Sequence, residues 1–149
     1  MLEEVLLALG IGPSMPSDGG RPLAVGWATV ELDRAARELG GVLGIDFVDA
    51  APSVHLGAAC RRSSTTVEGV DVVLLEPETE GRLAATLVRH DEGWAAVWLA
   101  ADPGQPSRRP RVRLSAARPG PFGGERLVLG AAITGPHHLW VEAATIREP

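Results

Sequence analysis

The sequence predicts an α+β domain built from a strand–helix–strand unit followed by a weaker version of the same unit. Three observations carry this. Residues 25–32 contain no proline and are rich in β-branched and aromatic side chains, which favours an extended segment. Asp33 then offers a carboxylate to the exposed amides of a helix's first turn, and Gly40 and Gly41 supply positions that can turn left-handed and stop or weaken that helix. Residues 72–77 form a second apolar run closed by Pro77. Beyond it Leu83, Leu87 and Val88 share one face of a second helix, ahead of another apolar run at 94–99.

In chain order, Leu2, Val5, Leu6 and Leu9 recur at helical spacing with Glu3 and Glu4 near the positive end of the helix dipole, so residues 1–10 read as a packing helix. Residues 11–22 are rich in Pro, Gly and Ser and read as a loop. The central unit runs through Phe47, a loop follows at 49–53, and strands at 54–66 and 70–75 join at Glu68-Gly69. A helix over 79–91 places His90 near its C-terminal dipole, while His55 falls at a strand start. The run at 101–124 holds Pro103, Pro106, Pro110, Pro119 and Pro121, which disfavours a helix and leaves irregular structure around a strand at 111–116. Residues 126–133 and 137–143 close the chain as a hairpin turning at Thr134, Gly135 and Pro136.

A chain of 149 residues is most simply one domain, divided here into an N-terminal helix and loop (1–22), a first module (23–92) and a second (93–149). The longest apolar runs fall far short of the ~20 residues of a membrane span, and the acidic start lacks the basic opening of a secretory signal, so a cytoplasmic protein without membrane attachment is expected. Lys and Tyr are absent and all 14 basic side chains are Arg, which excludes Schiff-base chemistry and a tyrosine general acid. The lone Cys60 excludes an internal disulfide and a cysteine zinc site. A net charge of −5 argues against nucleic acid as a partner, and Arg108, Arg109, Arg111 and Arg113, set among prolines without aromatics, read as a solvated edge. Neither a Gly-x-Ser-x-Gly elbow nor a glycine-rich phosphate loop after a strand is present.

The strand followed by Glu31, Leu32, Asp33, Arg34, Ala35 and Ala36, and then by Leu43, Gly44 and Ile45, resembles the opening of the vicinal oxygen chelate superfamily, which includes glyoxalase I, methylmalonyl-CoA epimerase and the bleomycin-resistance proteins. Residues 72–77 followed by 81–93 resemble the epimerase pattern of a strand ending in proline, a helix and a glycine turn, and Leu139, Trp140, Val141 and Glu142 resemble the family's final strand. The resemblance implies paired βαβββ modules forming a curved mixed sheet, here with the second module lacking its helix. It also implies a divalent metal on the concave face, held by His, Gln or Glu. Carried over strand by strand, those ligand positions fall at Ala24, Val73, Ala96 and Glu142. Hydrocarbon stands at all but the last, and a single carboxylate does not hold such an ion against water, so no metal and no other cofactor is expected.

Strand alternation extends the inference. If Ala96 faces the concavity, so do Trp94 and Trp98, and if Glu142 does, so do Trp140 and His138. Ala24, Gly26 and Ala28 share a face on the first strand, with Val73 and Leu75 beside them. Each tryptophan taken singly reads as core; together on one face they read as a pocket for a flat aromatic or amphipathic ligand. The expected function is therefore a metal-free small-molecule binding protein of the bleomycin-resistance type, forming a homodimer as the resemblance implies. The alternative is an isomerase, lyase or cyclase using Glu142 or His138 as acid or base, and a third reading is an interaction domain with a filled cavity. Because neighbouring strand residues face opposite ways, His137 and His138 do not form a metal clamp.

Overall fold

The computed structural model describes residues 2–10, 20–78, 80–101, 113–129 and 136–142. Eight strands form one mixed sheet: β1 (Arg21–Ala28), β2 (Phe47–Ser53), β3 (Ala58–Ser63), β4 (Asp71–Pro77), β5 (Gly93–Ala100), β6 (Arg118–Gly120), β7 (Gly123–Leu127) and β8 (His137–Val141). Their order is β2-β3-β4-β1-β5-β8-β7-β6, with β1 parallel to β4, β5 parallel to β8, and the other neighbours antiparallel. Each half therefore sets its first strand beside its last, and the halves meet edge to edge through β1 and β5. The sheet curls until its ends approach: Val54 N–H, just past β2, donates to the Pro119 carbonyl of β6 at 3.1 Å.

Helices α1 (Leu2–Ala8) and α2 (Leu32–Leu43) cover the outer face. Val5 and Leu9 pack there with Val25, Val72, Val97, Leu99 and Trp140, and Leu39 and Leu43 add the apolar stripe of α2. The inner face holds Ala24, Ala28, Cys60, Val73, Leu75, Ala96, Trp98, Leu127, Leu139 and Val141, and α3 (Arg82–His90) sends Leu83 into the same cluster. No helix among the described residues is long and apolar enough to cross a membrane.

The start and stop of α2 differ from expectation. Glu31 is its N-cap and makes no capping side-chain bond. Carboxylates from the sheet serve instead: Leu32 N–H donates to Glu76 at 2.9 Å and Val30 N–H to Glu92 at 2.9 Å, placing negative charge at the positive end of the helix dipole. Asp33 accepts from Arg61 at 2.7 Å rather than capping. Gly40 and Gly41 lie inside the helix, which ends at Gly44 with φ 70° and an N–H donating to Gly40 O at 2.8 Å. Gly40 is required by packing, since a Cβ there would meet the Ile45 carbonyl at 2.7 Å.

Further differences lie between β1 and β4. The stretch expected as a loop at 49–53 belongs to β2, and His55 sits in the turn after it instead of opening a strand. The Glu68-Gly69 turn is present, with φ 53° and 88°, bridged by Val67 and Val70. In the second half, residues 102–112 lie outside the described residues, so the expected missing helix and Arg108, Arg109 and Arg111 are not described there. Residues 113–117 make a single bridge, Leu114 to Val128, in place of the expected strand. The expected turn residues Thr134 and Gly135 also lie outside the described residues.

Small residues on β1 fit a large one on β5. A Cβ added to Gly26 would approach Trp98 Cζ3 at 2.8 Å and Leu75 Cδ1 at 2.9 Å, so the indole ring lies over the space that Gly26 leaves. Gly26→Ala is expected to cost about 1–3 kcal/mol by overpacking, measured by urea unfolding. Trp98→Leu in the same chain should lower the cost of the Gly26 substitution to what the Leu75 contact leaves; additive losses would refute the pairing.

Candidate functional site

Alternation on β1 puts Ala24, Gly26 and Ala28 inward, with Val25 outward and Trp27 against the outer-face Trp94. On β5 it is broken by a bulge. Gly26 pairs with Ala96 but the adjacent Trp27 pairs with Trp94, so Ala95 is the extra residue. Trp98 and Ala96 consequently face the concavity while Trp94 turns to the helix-covered side, where it meets Trp27 edge-on at 5.0 Å between centroids.

The β8 expectation is corrected in the same way. Leu139 and Val141 face inward; Trp140 is buried outward with Val5 and Leu9, and His138 reaches the Leu9 carbonyl through Nε2 at 2.6 Å. Glu142 pairs with Arg126 at 3.1 Å. The structure thus keeps Trp98, Ala24, Gly26, Ala28, Val73, Leu75 and Ala96 together and removes Trp94, Trp140, His138 and Glu142 from that face. The three tryptophans do not share a hollow.

The polar centre of the concavity is Glu125, on β7. Its side chain is fully buried, accepting from Trp98 Nε1–H at 2.8 Å through one oxygen and from the Ser53 hydroxyl at 2.7 Å through the other. Ser53 in turn accepts from Leu56 N–H at 3.3 Å. The carboxyl packs so closely over Gly120 that an added Cβ there would land on it. Burial pushes the carboxyl up from 4.5 to about 7, against the lowering effect of the bonds from Trp98 and Ser53. Toward one end, the Phe122 ring lies 5.8 Å from Trp98, and the Arg62 guanidinium stands 4.1 Å over it while donating to Asp71 at 2.7 Å.

His137 is the other buried titratable group on this side of β8. The Thr86 hydroxyl donates to the Arg82 carbonyl at 3.0 Å, so it accepts from His137 at 2.8 Å, which places the imidazole proton on Nε2. Burial, then the charges of Arg82 and His138, lowers its pKa from 6.5 to about 4. Cys60 lies within the same apolar cluster and burial pushes its thiol up to about 12, so it is a poor nucleophile. A surface cleft of about 130 Å³ lined by Trp27, Ala35, Leu39 and Val42 lies beside α2, outside the concavity.

The described inner face of β1, β4, β5 and β8 does not fit a divalent cation. Ala24, Val73, Ala96, Leu139 and Val141 offer no donor atoms, and among the described residues no group of three or more His, Cys, Asp and Glu side chains is placed to hold a metal.

The arrangement defines a curved mixed sheet with α1 and α2 on its outer face and α3 packed against the inner-face cluster, an α+β fold consistent with the vicinal oxygen chelate resemblance. Solved structures share it. Methylmalonyl-CoA epimerase from Mycobacterium tuberculosis is similar with a TM-score of 0.63 at 22% identity, over 80% of this chain and 85% of that one. A Streptomyces coelicolor methylmalonyl-CoA epimerase variant in complex with 2-nitronate-propionyl-CoA gives 0.65 at 19% identity, over 87% and 99%. A methylmalonyl-CoA epimerase in complex with methylmalonyl-CoA and NH4+ gives 0.63 at 20%, over 87% and 99%. No protein-family model matches the chain, and no curated protein matches it in sequence.

Glu125 and His137 make opposite pH predictions. Glu125, with its folded pKa raised from 4.5 to about 7, contributes stability that is fully present below pH 4.5 and lost as pH rises through 7, on the order of 3 kcal/mol in all. His137, lowered from 6.5 to about 4, contributes stability present above pH 6.5 and lost as pH falls through 4. Between pH 4.5 and 6.5 the two oppose each other. Glu125→Gln keeps an acceptor for Trp98 and a partner for Ser53, so urea unfolding should show variant stability climbing with pH where wild type stays nearly level. Parallel profiles would contradict the assignment. The Cys60 thiol should be silent to a disulfide reagent at pH 8 in the folded protein and react once urea unfolds it; rapid reaction of the native thiol would contradict its buried, un-ionised state.

Proposed function

We propose that this protein is a metal-independent binder of a small aromatic or amphipathic molecule, held on the concave face of the sheet. The observation that carries the reading is the exchange of chemistry on that face: hydrocarbon at Ala24, Val73, Ala96, Leu139 and Val141, with His137 of β8 bonded to Thr86, and one buried carboxyl, Glu125, set against an indole. A carboxyl bonded to protein donors through one lone pair on each oxygen retains acceptor capacity for a ligand N–H or O–H. Ala24, Gly26, Ala28, Val73, Leu75, Ala96 and Trp98 form the apolar walls. That structurally similar epimerases are solved with acyl-CoA ligands supports a small organic ligand, with this fold alone as the warrant. On the same reading the two halves are diverged copies of one βαβββ module, the second without its helix, and the protein is a cytoplasmic homodimer.

A second reading, an isomerase, lyase or cyclase without metal, is favoured by one observation. Glu125 is fully buried with only Trp98 and Ser53, among the described residues, bonded to its carboxyl, and burial pushes that carboxyl up to about 7, where it serves as either acid or base near neutrality. Under that reading it takes the role expected for Glu142 or His138, which pair with Arg126 and with the Leu9 carbonyl on the other side of β8.

Two measurements test the proposal. Dialysis against zinc, nickel and manganese should leave less than stoichiometric metal on the protein; one tightly held ion per chain would sink it. Titration with a panel of aromatic compounds should quench tryptophan emission, and Trp98→Phe should remove most of that response. Quenching that survives Trp98→Phe would move the site away from the concavity.

A further inference from the structure

We infer that Phe122 occupies the ligand's own place: its ring is an internal plug in a slot for a planar aromatic group. The inference rests on the binding reading above and names the ligand class. Phe122 is the one member of the inner-face cluster that comes from a turn, residues 121–122 between β6 and β7, instead of from a strand or helix, apart from Leu56 under α3. Its ring is held as a recognition site holds an aromatic ligand. The Arg62 guanidinium lies over the face at 4.1 Å, the Trp98 indole lies at 5.8 Å and 58°, and behind Trp98 sits Glu125.

The segment that carries the plug is weakly tied. Among the described residues, β6 has three residue pairs to β7 and, on its other side, the single bond from Val54 N–H to the Pro119 carbonyl at 3.1 Å, and Pro119 and Pro121 have no N–H to donate. Gly120, Gly123 and Gly124 flank the turn, with Gly123 at φ 98°. Arg62 reaches the Pro121 carbonyl at a long 3.3 Å. Opening of this turn would carry the ring out of the cluster, since local openings draw on segments with few backbone bonds. The slot is therefore closed by the protein's own side chain when empty, and apparent affinity is reduced by the fraction of molecules in which Phe122 is out.

The chain has only two phenylalanines, Phe47 and Phe122, which makes the test direct. The full chain would be labelled with 4-fluorophenylalanine and titrated with indole as the probe, followed by fluorine NMR. The Phe122 resonance should move toward its solvent-exposed position as indole binds, while Phe47, on the α2 side, stays fixed. Phe122→Ala should bind indole about tenfold tighter than wild type, because no plug has to be displaced. Indole binding to wild type with an unmoved Phe122 signal would overturn the plug and leave the binding reading standing. Binding by Phe122→Ala alone, with wild type silent, would show a cavity made by the substitution and would also overturn it. If neither protein binds indole while other aromatic compounds quench Trp98, the slot assignment falls by itself; if nothing binds at all, both readings fall.

Discussion

The curled sheet depends on one buried carboxyl. Glu125 lies on β7, accepts from Trp98 on β5, and accepts from Ser53 at the end of β2, so it bonds across the seam where the two ends of the sheet approach. Burying such a group uncompensated is costly, and two donors offset that cost without abolishing it, which is why its pKa stands near 7 instead of in the ordinary carboxylate range. Metal coordination would supply a comparable cross-link on a concave face, but Ala24, Val73, Ala96, Leu139 and Val141 carry no donor atoms, and among the described residues no three ligand-type side chains are placed together. Here the strands are tied by hydrogen bonds to an acid in hydrocarbon surroundings.

Packing around that acid is size-matched. Gly26 leaves room for the Trp98 ring, and Gly120 leaves room for the Glu125 side chain. The indole's position is thus set twice, by the absence of a side chain beneath it and by the carboxyl that receives its N–H. This couples structure to function: the groups that fix Trp98 are the ones a ligand would meet. Phe122 is presented to that cluster by a glycine- and proline-rich turn.

Much of the fold was legible from residue pattern alone. The apolar runs at 72–77 and 94–99, a helix ending at His90 and the Glu68-Gly69 turn appear close to those positions, while the strand expected at 25–32 lies four residues earlier as β1, taking in Arg21 and Pro22 from the expected loop, and Val88, expected beside Leu83 on the apolar face of α3, is 90% exposed. Side-chain facing was legible on β1 and β4, where alternation holds. It failed on β5 because a bulge at Ala95 is invisible to a strict period of two, and so Trp94 left the face predicted for it. On β8 the reading began from Glu142, and starting one residue out reversed every assignment on that strand. Asp33 does not cap the helix because the helix begins one residue before it, at Leu32, and its carboxylate is held by Arg61; Glu76 of β4 meets the Leu32 amide, and Glu92, just before β5, meets the amide of Val30 ahead of the cap. Glu125 carried a usable signal that went unread: it precedes Leu127 by two positions, so an apolar Leu127 facing inward places an acid on the same face. What no local pattern shows is that Ser53 and Trp98 would converge on it, since those contacts span 72 and 27 residues.

The central claim is that the inner face of the sheet is organised by an acid held in apolar surroundings. Carbon-13 NMR of glutamate-labelled protein titrates each side-chain carboxyl directly, and Glu125→Gln identifies the resonance. The account predicts that the Glu125 signal titrates with a midpoint near 7. A Glu125 carboxyl that ionises with the solvent-exposed glutamates, near 4.5, would contradict it.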